Sequence, residues 1–336
     1  MKYLVIKSFP DSETYSKWDS FLTDADLATH YSTPNYFLDP CVRADRFAVA
    51  AVDGEGEFQA VLTGVSNGSR ISSGLFSRPQ IAFRRGIDSG EATRSLIAGV
   101  TEAFPAASLI EIFSWNELSA AGFRSSSSTD EMSVVILDLA KGSEAIFAGF
   151  SQTRRNEIRK AERSNLLEIK EIETKSETAE LYKLHCDWNR TKGHQPDAFE
   201  MFQLSIAQRE NRRTFIAKVD GNVVAGSFFR FAANGVVEYA ANNSKPEFQR
   251  LRPNDVLVWH AIKWACESGF THFSMGGSNL FLRRFGGEIK TTYRYRRDMS
   301  IIKKHEIREL AMAAGVGAYR RLPSGVRSRL SGLMAR

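Results

Sequence analysis

Arg46-Phe47-Ala48-Val49-Ala50-Ala51-Val52-Asp53-Gly54 reads like Arg213-Thr214-Phe215-Ile216-Ala217-Lys218-Val219-Asp220-Gly221, at an offset of 167 residues. Each stretch is an apolar strand running into Asp-Gly, the short-range signature of a β-hairpin. A second turn follows each hairpin (Asn67-Gly68, then Asn234-Gly235), and after it a strand, a helix and a last strand. The pattern predicts those helices near Glu91–Phe104 and Asp255–Ser268, and the last strands at Leu109–Ser114 and His272–Gly276. Upstream helices correspond loosely as well, Tyr15–Leu22 with Glu177–Asn189. The offset drifts by a few residues along the copies, as loop insertions and deletions cause. The same α+β unit is expected twice.

Composition fits two ordinary domains. The 336 residues are 43% hydrophobic and 25% charged, values of a globular protein with sizeable cores. No apolar run approaches the roughly 20 residues needed to cross a bilayer. Met1–Ile6 turns polar too early for a signal peptide. Cys41, Cys186 and Cys266 are odd in number and far apart, which predicts free thiols, a reducing compartment and a cytoplasmic protein. Ser125–Thr129 and Leu322–Gly325 are the linker candidates.

The net charge of +6 is unevenly spread. Residues 283–336 hold 14 basic against 4 acidic residues, and everything before them 31 against 35. The body is therefore near neutral, which argues against a nucleic-acid-binding body. Residues 311–336 contain no acid. Val326, Leu330 and Leu333 fall at helical spacing with Arg327, Arg329 and Arg336 off the stripe. That makes 311–336 a candidate for peripheral contact with an anionic inner-membrane surface, a frayed terminus being the alternative.

The chemistry-bearing stretches lie in the second half. Ser151 is a candidate N-cap for a helix in which Arg155, Arg159 and Arg163 stack at i, i+4 and i+8. Either an anion compensates that row or it is a solvated face. Gly226 weakens the middle of its strand unless something must come close. Gln249-Arg250-Leu251-Arg252-Pro253-Asn254-Asp255 starts a helix, whose N–H groups and dipole favour an anion, unless it is only an ordinary capped start. Trp259, His260 and Trp264 sit on an apolar, structural helix. No metal-ligand spacing, G-x-S-x-G elbow, P-loop or dinucleotide fingerprint is present in the sequence.

Six segments in order resemble FemAB-like proteins. They are Arg154-Arg155-Asn156-x-Ile158-Arg159-Lys160-Ala161-Glu162, His185-x-x-Trp188-x-x-Thr191-x-x-His194, Ala225-Gly226-Ser227-Phe228-Phe229, Glu238-Tyr239-Ala240-Ala241, Arg252-Pro253-Asn254-Asp255-Val256-Leu257-Val258-Trp259 and Phe285-Gly286-Gly287-Glu288. The resemblance covers residues 144–300 well and 1–143 only in element order. It implies an α+β chain of two tandem GNAT-like (acyl-CoA N-acyltransferase) domains, each a mixed central sheet flanked by helices. Residues 1–143 would be the N-terminal domain, 144–300 the donor-binding domain and 301–336 a basic extension.

The implied activity is N-acyl or aminoacyl transfer to an amine of a cell-envelope or exopolysaccharide precursor, small-molecule or lipid-linked. Acyl-CoA or aminoacyl-tRNA would be the co-substrate, with no metal, and charged tRNA the only nucleic acid. Rival readings are an aminoacyl-tRNA-dependent peptidoglycan-bridge ligase and a non-catalytic membrane-associated scaffold of polysaccharide synthesis. Two departures bear on the donor. Arg-Pro stands where GNAT phosphate loops are glycine-rich, and the long helical hairpin of some tRNA-using members is missing from the sequence.

Site roles follow as expectations. Arg250, Arg252, Asn254 and Asp255 would hold the donor's phosphates. Backbone N–H groups around Gly226 would hold the oxyanion and Glu238 would be the base, an outward strand position being its alternative. Arg154, Arg155, Asn156, His185, Trp188, Thr191 and Tyr239 would line the substrate side, though Tyr239 alternates to the face opposite Glu238. The equivalent helix start in the first copy, Asp88-Ser89-Gly90-Glu91, is acidic and is not expected to take an anionic carrier.

Overall fold

A computed structural model describes residues 1–75, 78–118 and 127–321. The first half runs β1 (Lys2–Ile6), α1 (Ser12–Thr23), the two-residue β2 (Ala25–Asp26), 3-10 turns at His30–Ser32 and Pro34–Leu38, then the hairpin β3 (Asp45–Val52) and β4 (Phe58–Ser66). It continues with β5 (Arg70–Ser73), β6 (Ile81–Arg84), α2 (Ser89–Ala103), β7 (Leu109–Ser114) and β8 (Ser127–Asp138). The second half runs α3 (Gly142–Ala148), α4 (Gln152–Ser164), β9 (Glu168–Glu171), α5 (Lys175–Thr191), α6 (Phe199–Ala207) and the hairpin β10 (Arg212–Val219) and β11 (Asn222–Phe231). Then come β12 (Val236–Ser244), a 3-10 turn at Pro246–Leu251, α7 (Pro253–Glu267), β13 (His272–Ser274), α8 (Leu280–Arg283), β14 (Glu288–Asp298) and α9 (Lys304–Arg321).

The two halves build one sheet in the order β1-β3-β4-β5-β7-β14-β8-β13-β12-β11-β10-β9, with β6 and β2 beside β4. From either edge inward the pattern is the same. Three antiparallel pairings lead to one parallel pairing, β5 with β7 and β12 with β13, across which α2 and α7 are the crossover helices. Next to each parallel pair lies the last strand of the other half: β14 pairs with β7 and β8 with β13, and the two exchanged strands pair with each other over ten residues. The duplication read from the Asp-Gly hairpins is thus a pseudo-twofold fold. Both hairpins even carry a register shift near the same place, at Ala51/Val52 and Ala217/Lys218.

Local chemistry fixes the helix ends. Asp88 accepts from the N–H groups of Gly90 and Glu91 at the start of α2, and Ser151 accepts from Arg154 at the start of α4. Thr174 and Glu177 form a full capping box on α5. Helix α7 buries Leu257, Val258, Ala261, Ile262 and Ala265 in the core of the second half, and α2 buries Leu96, Ile97 and Val100 in that of the first. Cys41, Cys186 and Cys266 are free. Among the described residues no helix is long and apolar enough to cross a membrane. Val326, Leu330, Leu333 and the arginines beside them lie outside the described residues.

Candidate active site

The site begins where β12 outlasts its parallel partner. Pairing with β13 runs only from Val236↔His272 to Glu238↔Ser274, while β12 continues to Ser244. On its other edge β12 stays paired with β11, but with a bulge: Phe228 faces Ala241 and Phe229 faces Tyr239, leaving Ala240 extra. Beyond Glu238 one edge of β12 therefore has no β13 partner, and a groove opens between it and α5.

Gly226 explains how α5 comes so close. A Cβ there would lie 2.5 Å from Leu181 Cδ1, so glycine lets α5 lie this close to the sheet without displacing Leu181. This corrects its expected oxyanion role: β11 is flanked by β10 and β12, with Gly226 opposite Ile216 and Asn243. Past Glu238, the edge of β12 away from β11 has no β13 strand partner.

Two cavities follow that groove. The larger, about 520 Å³, is lined by Trp188 and Thr191 of α5, by Asn242 and Ser244 of β12, and by Asn254 at the start of α7. Asn254 Nδ2 donates to Ser244 Oγ at 3.1 Å, tying the helix start to the strand end. The smaller, about 230 Å³, lies further along the same two elements. His185 of α5 and Ala240 and Ala241 of β12 line it, closed by Phe202, Arg212, Arg230 and, from the first half, Arg78 and Cys41. Of the residues singled out in the sequence, Trp188, Thr191 and Asn254 line the larger cavity and His185 the smaller.

Other expected site residues are drawn into the framework. Arg154 is buried, salt-bridged to Asp255 and stacked between the rings of Phe281 and Phe285, 4.6 and 4.4 Å from their centroids. It pins α4 to the first turn of α7, and neither charge is offered to a ligand. Arg155 donates to the carbonyl of Ala148 at 2.6 Å, closing the end of α3, and Asn156 accepts from Gln152 on the surface at 3.0 Å. Tyr239 lies in the core of the second half, stacked on Phe229, and burial pushes its phenol above the usual range. Arg252 is half exposed at the entry to α7, 2.6 Å from Glu157, and Arg250 beside it is exposed.

The start of α7 offers fewer donors than a glycine-rich phosphate loop. Pro253 has no N–H, and those of Asp255 and Val256 return to the carbonyl of Arg252 at 3.1 and 3.2 Å. Asn254 is the first-turn residue that faces the groove.

Glu238 is 2% exposed and 2.6 Å from Arg78 Nε, and it is not among the residues lining either cavity. Arg78 also donates to the carbonyl of the bulge residue Ala240 at 2.7 Å. One arginine of the first half therefore clamps both the carboxylate and the bulge. Glu238 stands opposite Arg230, and Arg230 opposite Arg212, a charged row across three neighbouring strands. Tyr31 accepts from Arg230, and Asp39 holds Arg212 at 2.6 Å and His30 Nε2 at 2.9 Å. Burial pushes the His30 imidazole down to about 4. Burial alone would raise the Asp39 carboxyl, but the His30 hydrogen bond and the Arg212 charge outweigh it and hold Asp39 below the usual carboxylate range. Sequence reasoning missed Arg78, Arg212 and Arg230. A charge inside an apolar strand, the signal that singled out Glu238, also marks Arg230 in Ser227-Phe228-Phe229-Arg230-Phe231.

His185 is the titratable group that α5 contributes to the smaller cavity. Burial holds its imidazole below the ordinary value, against the opposing pull of Asp197 and a hydrogen bond with Asn243. It is accordingly neutral near pH 7. Asp197 lies 3.6 Å from its Nε2.

Residues 148–295 match the family described as the acetyltransferase (GNAT) domain. No curated protein matches the chain in sequence. Among solved structures the chain is similar to FemX, with a TM-score of 0.61 at 14% identity, covering 87% of this chain and 97% of that one. It is similar to the C-terminal domain of a putative lysylphosphatidylglycerol synthetase from Agrobacterium fabrum (TM-score 0.58, 11% identity, 89% and 96% covered). A tandem GNAT protein from the clavulanic acid biosynthesis pathway also resembles it (TM-score 0.52, 11% identity, 89% and 99% covered). At such identities the likeness speaks for the fold.

Proposed function

We propose that this chain, a FemAB-like double-GNAT acyltransferase, moves an acyl or aminoacyl group from a thioester or ester donor to the amine of a cell-envelope precursor. The observation that carries the proposal is the parting of β12 from β13 after Glu238, which leaves a β12 edge without a strand partner on one wall of a groove. The larger cavity, ending at Asn254 with Arg250 and Arg252 outside it, suits the donor's carrier. The smaller cavity, with His185 against the bulge, suits the reacting amine.

In this reading His185 takes the proton of the acceptor ammonium. The freed nitrogen attacks the carbonyl carbon and an N–C bond forms. Backbone N–H groups of the freed β12 edge hold the oxyanion. The carbonyl then re-forms as the C–S or C–O bond breaks, and the second proton, which the now cationic nitrogen must lose to become an amide, passes to the departing thiolate or alkoxide, which leaves with the carrier. Glu238, through Arg78, keeps the bulge in position. The neighbours named FemX and lysylphosphatidylglycerol synthetase favour envelope acceptors and leave open an aminoacyl-tRNA donor.

Thermal shift with a panel of acyl-CoAs and charged tRNAs tests the donor. One class should raise the melting temperature, and Arg252→Ala should weaken its binding by roughly 1.5–3 kcal/mol, the range for a hydrogen bond to a charged group. A chain that binds neither class is not a transferase of this kind.

A further inference from the structure

Helix α9 is docked on the sheet by its polar side. Asp298 accepts from the N–H groups of His305 and Glu306 at 2.7 and 3.1 Å, and His305 Nε2 lies 2.9 Å from Ser108 Oγ. Glu309 pairs with Arg294 and Arg296 of β14, and Glu306 lines the cleft beneath the helix. Both acidic residues of 301–336 therefore face the protein.

The outward side has the opposite character. Ile301 and Ile302, in the turn before the helix, are 100% and 71% exposed, and Ile307 and Leu310 are 57% and 72% exposed. Ala311 and Ala314 continue the same helical face, with Lys304 and Arg308 exposed beside it. Single exposed apolar residues need no explanation, but four large ones gathered on one turn and one helix face do.

We propose that this face, Ile301, Ile302, Ile307 and Leu310 flanked by Lys304 and Arg308, is a docking surface for an anionic lipid bilayer. Charge selects lipid over a second copy of the chain. Residues 301–314 carry three basic residues, Lys303, Lys304 and Arg308, and the two acids among them, Glu306 and Glu309, are turned inward. Two such faces brought together repel. An anionic surface attracts the basic flank while its interface receives the isoleucines, as for amphipathic segments that lie in a headgroup layer. The surface lies in residues 301–314, apart from the arginines of 320–336, and does not depend on the catalytic reading.

The test is co-sedimentation of the full chain with vesicles of equal parts phosphatidylglycerol and phosphatidylcholine, and with phosphatidylcholine alone. Binding should appear on the anionic vesicles at low salt and weaken at high salt. Replacing Ile301 and Ile302 by Asp should lower the bound fraction tenfold or more, and Lys304→Glu with Arg308→Glu should lower it comparably. These positions are solvent-exposed, so circular dichroism should be unchanged. Ile307→Asp with Leu310→Asp serves as an independent pair if the first misfolds. No binding at low salt overturns the proposal, as does binding that none of these variants reduces. A dimer in ultracentrifugation that the isoleucine variant converts to monomer assigns the face to a second copy and overturns it too.

Discussion

In the proposed reaction His185 and Glu238 divide the work that the sequence assigns to Glu238 alone. Glu238 is fixed by Arg78, which also holds the bulge carbonyl, whereas His185 lines the smaller cavity. His185→Gln should lower turnover by roughly 10²–10⁴-fold with donor affinity intact. The acid limb of the kcat/KM profile should vanish with it. Glu238→Gln should lose stability as well as turnover, because it leaves Arg78 without its carboxylate. Should Glu238→Gln abolish that pH limb while His185→Gln spares it, the base is Glu238. A second residue-level expectation comes from His30, whose folded pKa of about 4 lies below its ordinary 6.5. The unfolded chain then binds the proton first, so stability falls as the pH drops from about 6.5 towards 4. Asp39, also held below its ordinary value, acts in the same direction at lower pH. Urea unfolding should show a loss on the order of 2–3 kcal/mol from His30 between pH 7 and 4.5. An unchanged urea midpoint would contradict the buried neutral imidazole.

At the scale of elements, the groove exists because α5 lies on β11 at Gly226 and β12 outlasts β13. Gly226→Ala sets a methyl against buried Leu181 and should cost roughly 1–3 kcal/mol, the range for overpacking. Adding Leu181→Ala should recover part of that cost, a coupling that a double-mutant cycle measures. Additive effects would mean that α5 is positioned by something else. The start of α7 shows what spacing could not reveal. Arg154 and Asp255 lie 101 residues apart in sequence, each looks like a ligand-binding charge, and each satisfies the other. Arg250 and Arg252, just before that helix, stay exposed at the surface. The tandem helix starts also differ as their sequences said: Asp88 fills the anion position of α2 with its own carboxylate.

For the whole molecule, the exchange of β8 and β14 ties the halves together. Each half completes its sheet with the other's last strand, and Arg78, Tyr31 and Asp39 of the first half meet Glu238, Arg230 and Arg212 of the second. Calorimetry should therefore show one cooperative transition, with van't Hoff and calorimetric enthalpies in agreement. Two resolved transitions would mean that the exchanged strands do not couple the halves.

Hairpin turns, caps and apolar periodicity are local, and they sufficed for the duplicated α+β unit, for the Ser151 cap of α4, and for the apolar character of α7. They also brought Trp188 and Thr191 to one wall, because residues three apart on a helix share a face. Which arginine meets which carboxylate was decided only in three dimensions. A charge reads the same in sequence whether water, a ligand or a buried partner compensates it. Low-dielectric burial makes the partner obligatory. The exchanged strands were equally hidden, since an apolar strand such as Val134–Leu137 carries no mark of which neighbour it will join. Its pairing is set by the sheet edge that the rest of the fold leaves open.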